Sequence, residues 1–344
     1  MKSLLLTFDY ELFLGKRSGS VKKCLLEPTM KLQQILRSFG MTAVFFVDTT
    51  YLLLLEKQSK KHEKAARDFE LITHQLQQLQ REGHFLYPHI HPHWLDAKYL
   101  EQENQWNLSS IARYRFHLVS IPEREMLFSE SNRILSEILK PSGVPYEFRA
   151  YRAGGWCIQP FDDFAPFFKK YGIKYDLSVL KGDKCESTLR YFDFSQTSSF
   201  PDIYRFSSSI TEQDLNGEIS EVCISMLDGT DFIGDFSSRV FMKLLPENFK
   251  RSIGDGLSAE YKGSQFETEL KEDQIGPVRE MVSIELLTSI SLNRYLDYFS
   301  KNEFMHFISH PKMVSPHNLE TLKRFLTKVV SRFSVETDFK KICP

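Results

Sequence analysis

Four of the ten histidines fall between positions 84 and 93, in the run His84-Phe-Leu-Tyr-Pro-His89-Ile-His91-Pro-His93, with Trp94 next. A lone histidine is more often a satisfied core or surface residue, but three at alternate positions ask for a metal. Neutral imidazole is the commonest protein ligand for a divalent transition ion, and a proline-stiffened segment loses little backbone entropy in holding one. An extended segment would turn His89, His91 and His93 to one face, whereas a helical turn would pair only His89 with His93. Pro88 and Pro92 disfavour a regular helix, so the run reads as a loop leaving a strand, with His89 and His93 as the metal pair.

Metal-assisted hydrolysis needs an ion with an open position, a base for the attacking water and an acid for the leaving group. The remaining parts are present in the chain. Asp9 can serve as base or ligand, His310 can protonate a leaving amine, and Arg152 can hold a carboxylate in its charged form.

The elements that must position these residues alternate along the chain. Ser3 to Asp9, Thr42 to Asp48, Tyr146 to Arg152, Ile173 to Leu177 and Glu303 to Ser309 read as strands. Pro28 to Phe39, Phe69 to Arg81, Arg124 to Leu139, Phe161 to Tyr171, Ile284 to Phe299 and Asn318 to Arg332 read as helices, the second with Leu71, Ile72, Leu76 and Leu79 at helical intervals. Such alternation means a mostly parallel sheet, closed into a barrel or left open, with functional residues at the carboxyl ends of strands. That rule selects Asp9-Tyr10-Glu11, the histidine run, Arg149 to Trp156, and Ser309-His310-Pro311. The section from 181 to about 280 breaks the pattern and reads as an inserted β-rich excursion or lid.

Composition narrows the partners. Forty-four basic residues against 45 acidic ones leave a net charge of −1, so no field of one sign would draw nucleic acid or an anionic membrane. Five widely spaced cysteines with no C-x-x-C pair suit reduced thiols. The apolar start is interrupted by Asp9 and Glu11, which reads as a first strand rather than a signal peptide, and no run approaches the ~20 residues of a membrane span. A soluble, cytoplasmic protein with a neutral or small substrate is expected.

The order and spacing of the four sites resemble the polysaccharide deacetylase family, the family-four carbohydrate esterases related to chitooligosaccharide deacetylases. Thr7-Phe8-Asp9-Tyr10 stands in place of the family's T-F-D-D motif, which implies that Asp9 is the base. Gly83-His84 followed by His89 and His93 keeps the spacing of the second motif, so these two look like the metal histidines. Tyr151-Arg152-Ala-Gly-Gly155-Trp156 looks like the third, implying that Arg152 orients the base while Gly155 and Trp156, with Tyr10, face the substrate. Tyr175-Asp176-Leu-Ser178 lies where the fourth is found, and Ile308-Ser-His310 fits the last, implying that His310 is the general acid. The resemblance runs from residue 3 to about 330, with 181 to 280 unmatched.

It implies a distorted (β/α) barrel spanning 1–344 as one domain, holding a divalent ion, zinc or else cobalt, nickel or iron. The implied reaction removes an N-acetyl or other acyl group from a saccharide or saccharide precursor. One departure stands out: the family's third ligand is the second Asp of its first motif, and a phenol such as Tyr10, with a usual pKa of ~10, ligates divalent ions poorly. Glu11 is the favoured replacement, with His91 or Asp9 itself as alternatives. The rival reading is a non-catalytic carbohydrate-binding protein that stacks Trp94, Trp106 and Trp156 on sugar faces.

Overall fold

Strand β1 (Lys2–Tyr10) lies one strand in from one end of the sheet, and its alternation sets the architecture. Leu4, Leu6, Phe8 and Tyr10 face outward into the main core, while Leu5, Thr7 and Asp9 face the other way. The computed structural model describes residues 1–110, 112–187, 189–228, 246–257 and 279–344. Within them β1 pairs in parallel with β2 (Val44–Asp48), which pairs in parallel with β3 (Phe85–Ile90), then β4 (Ala150–Ala153) and β5 (Tyr175–Asp176). Past β5 lies β7 (Ile219–Val222), parallel to it, and then β6 (Ile203–Phe206), antiparallel to β7. On the other side of β1 lies β8 (Phe304–Ser309), and β9 (Val335–Glu336) pairs with the beginning of β1.

The sheet curls until its ends nearly meet. Past β7, Ser225 donates its backbone N–H to the His306 carbonyl at 3.3 Å, and Ile308 of β8 donates to the Val282 carbonyl at 3.0 Å. This is a distorted α/β barrel.

The outer layer comprises α1 (Glu27–Ser38), α2 (Thr49–Ser59), α3 (Glu63–Arg81), α4 (Ile121–Leu139), α5 (Ala165–Tyr171), α6 (Leu292–Lys301) and α7 (Pro316–Val330). Leu32, Leu52, Ile72, Leu76, Leu135, Phe299 and Phe325 bring most of these helices into one buried cluster. Leu71, read with the apolar stripe of α3, is instead 40% exposed, because it sits one position off the buried face. Helix α2 follows β2 without a loop, since the Asp48 side chain accepts from the Tyr51 N–H at 3.2 Å and caps the helix.

The barrel floor is apolar. Leu5, Phe46, Tyr87, Tyr175 and Val222 point inward from their strands, and Phe339 of a short C-terminal helical turn plugs the end, 5.7 Å from Tyr87 and 5.5 Å from Tyr175 between ring centres. Directly above this floor the inward residues become polar.

One expected helix is shortened. The sequence pattern predicts a helix from Ile284 to Phe299, but the helix begins at Leu292. Ser283, Thr288 and Ser291 turn their hydroxyls onto local backbone, with Ser291 Oγ donating to the Leu286 carbonyl at 2.9 Å and accepting from the Thr288 N–H at 2.8 Å. Such bonds offer the backbone an alternative to a helical ladder. Of the expected lid, a hairpin of Lys184–Glu186 with Tyr191–Asp193 and the β6–β7 pair are described, while the acidic stretch from 261 to 274 lies outside the described residues.

Candidate functional site

Arg152 organises the polar layer. Fully buried on β4, its Nη1 donates to Asp9 Oδ1 at 2.6 Å, Nη2 to Thr7 Oγ1 at 2.7 Å, and Nε to the Leu177 carbonyl at 2.9 Å, while the guanidinium lies 4.3 Å over the Phe46 ring. His306 on β8 lies 3.2 Å from Nη2 through its Nε2, and its Nδ1 donates to the Cys223 carbonyl. Burial, with Arg152 beside it, pushes His306 down to about 3, so it is a neutral acceptor. Burial alone would raise Asp9, but Arg152, His89 and His310 together hold it below the usual carboxylate value. Asp9 is thus a charged carboxylate with Oδ2 turned upward.

Above it, three ligand-type atoms converge. His89 Nε2 lies 2.9 Å from His91 Nε2 and 3.5 Å from Glu11 Oε2, and His91 Nε2 lies 2.7 Å from that same oxygen. Bonds of ~2.0–2.1 Å at a tetrahedral centre place ligand atoms about 3.3 Å apart, close to this triangle. His89 Nδ1 donates to the Arg152 carbonyl at 2.8 Å, and a carbonyl can only accept, so Nε2 is the nitrogen left to face the triangle. His89, His91 and Glu11 are each at most 4% exposed, so these three atoms face one another away from water. A buried carboxylate oxygen facing two imidazole nitrogens suits a borderline divalent ion such as zinc, cobalt or nickel. Burial opposes charge on His89, but Asp9 and Glu11 raise it to about 9, so these two carboxylates already favour positive charge at this point.

A single turn after β8 closes the site from the far side. His310 Nε2 lies 3.6 Å from both Asp9 Oδ2 and Glu11 Oε1, and its Nδ1 is 2.8 Å from Glu285 Oε1. Glu285 also accepts from the His310 backbone N–H at 2.9 Å and from the Ser309 hydroxyl. Burial would lower His310, yet Glu285, with Asp9 and Glu11, holds it above its ordinary value. Lys312, two residues on, donates from Nζ to Glu11 Oε1 at 2.8 Å. Burial would raise Glu11, but Lys312, with His91 and His89, holds it well below its usual value.

The structure thus brings together Asp9, Glu11, His89, Arg152 and His310 from the sequence reading, together with His91, which that reading held as an alternative ligand. His93, the expected partner of His89, stays outside the triangle because the chain leaves β3 at Ile90 and enters a 3-10 turn at Pro92. Its ring stacks on Tyr114 with centres 5.1 Å apart, and neither of its nitrogens has a hydrogen-bond partner. Tyr10, expected to face substrate, points the opposite way from Asp9 and Glu11. It is 1% exposed, and its hydroxyl donates to Gln75 of α3 at 2.8 Å, so strand alternation removes it from the site. Gly155, at φ 61°, and half-buried Trp156 form the turn after β4, where the Arg190 guanidinium lies 4.9 Å from the Trp156 ring centre. Trp94 and Trp106 are core residues packed around Tyr51, which removes two of the three tryptophans offered for sugar stacking. His84 is also structural, accepting from the Ala43 N–H at 3.1 Å.

Glu285, Lys312 and His306 were missed in the sequence. Lys312 and His306 lie close to His310, but nothing in their spacing separates them from ordinary strand or turn residues. Glu285 sits in a segment read as helix. Asp48, at the carboxyl end of β2, was also passed over; burial, with Glu11 nearby, pushes it up to about 7.

No family model and no curated protein matches the sequence. Among solved structures, a Mycobacterium smegmatis protein described as a polysaccharide deacetylase superposes with a TM-score of 0.52 over 99% of this chain and 89% of its own, at 12% identity. A 4-alpha-glucanotransferase from Thermococcus litoralis gives 0.49 over 99% of this chain and 40% of its own, at 10% identity. The catalytic domain of a peptidoglycan N-acetylglucosamine deacetylase from Eubacterium rectale gives 0.39 over 98% and 88%, at 9% identity. The first of these shows that the chain has the distorted barrel fold of polysaccharide deacetylases.

Proposed function

We propose that the chain is a metal-dependent hydrolase that removes an N-acetyl or related acyl group from a saccharide or saccharide precursor. The observation that carries this reading is the convergence of His89 Nε2, His91 Nε2 and Glu11 Oε2 on one buried point, with Asp9 and His310 facing that point from the next layer. Glu11, His89 and His91 would hold the ion, and a bound divalent ion supplies Lewis acidity to the acyl carbonyl and to water. No further donor is needed if one position stays open for water.

The protein's own residues account for the proton transfers. Asp9, kept ionised and aimed by Arg152, takes the proton of the attacking water through Oδ2. His310, protonated and held by Glu285 at Nδ1, carries its mobile proton on Nε2 and passes it to the departing amine. The two groups have environments that push them apart in the direction this division needs, with the carboxyl lowered and the imidazole raised. Gly155 and Trp156 border the substrate from the turn after β4.

The test is metal content, by elemental analysis of protein purified without a histidine tag, followed by assay on acetylated saccharides. About one equivalent of zinc or a similar ion is expected in the wild type, absent from the His89→Ala/His91→Ala double variant, with acetate released only by the loaded wild type. Wild-type protein that takes up no ion from zinc, cobalt or nickel would refute the proposal.

A further inference from the structure

We propose that Lys312 is a positioning residue that restricts Glu11 to a single oxygen toward the metal, an inference that rests on the metal-centre reading above. The two oxygens of Glu11 face different partners. Oε2 meets His91 at 2.7 Å and His89 at 3.5 Å, whereas Oε1 accepts from Lys312 Nζ at 2.8 Å. The ammonium is itself fixed: it also donates to the Leu12 carbonyl at 2.6 Å and lies 5.3 Å from the centre of the Phe13 ring, and the residue is 5% exposed. The Lys312 carbonyl accepts from the Gly254 N–H at 3.1 Å, which anchors the turn from outside.

The consequence lies in coordination number. A carboxylate with both oxygens available can bind a cation with one or both, and a hydrolytic centre with three protein ligands works through the position left open. With Oε1 held by a buried ammonium, Glu11 presents Oε2 alone, and the open position stays available to water and substrate. The same turn therefore delivers two functions two residues apart, the proton of His310 and the restraint of Lys312.

Cobalt(II) reports this directly, because its visible absorption is strongest at four-coordinate centres, several-fold weaker at five-coordinate ones and weakest at six-coordinate ones. The full chain would be stripped with chelator, reloaded with cobalt and compared as wild type, Lys312→Met, Lys312→Gln and Lys312→Arg. Lys312→Gln guards against a folding failure of the methionine variant, since its polar amide is tolerated but is one bond too short to reach Oε1. The expected result is one bound cobalt in every folded variant. The band should be intense in the wild type and in Lys312→Arg, and several-fold weaker in Lys312→Met and Lys312→Gln as Oε1 joins the ion. Cobalt bound by Lys312→Met or Lys312→Gln with the wild-type spectrum would overturn the assignment, as would a Lys312→Arg spectrum matching Lys312→Met. Failure of the wild type to take up cobalt would instead overturn the metal-centre reading and this inference with it.

Discussion

In the proposed reaction the labour falls to two ionisable groups lying 3.6 Å apart, Asp9 Oδ2 and His310 Nε2. Asp9→Asn keeps the shape and the Arg152 hydrogen bond but removes the base. Turnover should fall by about 10²–10⁴, the usual worth of a positioned proton acceptor, with metal content unchanged; loss of the ion instead would make Asp9 a ligand. Glu285 acts one step back, through His310. Because Glu285 helps to raise His310, replacing it by Gln should lower that pKa, and activity that needs a protonated acid is lost as pH rises through it. The alkaline limb of the kcat profile should therefore move to lower pH in Glu285→Gln, while the acid limb, set by Asp9, stays in place. A profile shifted on both limbs, or on neither, would remove Glu285 from this role.

At the scale of elements, two strand ends and one turn do the positioning. His91 reaches the triangle because β3 stops at Ile90 and the turn after β4 leaves room for the ring: a Cβ on Gly154 would lie 2.7 Å from both His91 Nδ1 and the Ile90 carbonyl. Gly154→Ala should therefore displace His91 and weaken metal retention by about 10–100-fold in a chelator competition, as for other groups that orient ligands, with little change in far-ultraviolet circular dichroism. Much of this arrangement was legible beforehand. Apolar runs ending in an acid or a histidine identified β1, β2 and β8, and the strand-end rule selected Asp9, Glu11, His89, Arg152 and His310, whereas β3 runs through Phe85 to Ile90, within the run that reads as a loop leaving a strand. What escaped it is what depends on side-chain direction or tertiary proximity. Period-2 alternation places Glu11 with Asp9 and excludes Tyr10, yet the choice of His91 over His93 rests on where a short strand yields to a 3-10 turn. Glu285 was hidden in an apparent helix that serine and threonine hydroxyls break up, and only the curl of the barrel brings it to His310.

Across the whole molecule, the barrel interior holds buried charge that must be balanced, and two devices do it in different pH ranges. The first is Arg152, which ties β1, β5 and β8 to β4. Arg152→Met should cost about 3–5 kcal/mol by taking from the buried Asp9 carboxylate its hydrogen-bonded cation, and adding Asp9→Asn should recover part of that loss in urea unfolding. The second lies one strand away, where Asp176 and Glu221 are register partners on β5 and β7, both fully buried. Burial raises Asp176 to about 6 and, with Asp176 beside it, pushes Glu221 well above its usual value. Folded values above unfolded ones mean that the folded protein binds these protons more tightly, so the stability they contribute is present at low pH and is lost as pH rises through about 6 and beyond. Asp9 and Glu11, both lowered, behave oppositely, and their contribution is already complete above the ordinary carboxylate range. The two effects therefore occupy separate windows; above pH 5 Asp48 and His89, raised to about 7 and about 9, titrate as well, so the share of the pair is the difference between the wild type and a variant of the pair. Glu221→Gln keeps the shape of the protonated form and removes the second charge, so between pH 5 and pH 8 its urea-unfolding free energy should fall by ~1 kcal/mol or more less than that of the wild type. Parallel curves for the two proteins across that range would show that the pair holds no proton and that the barrel carries both charges by other means.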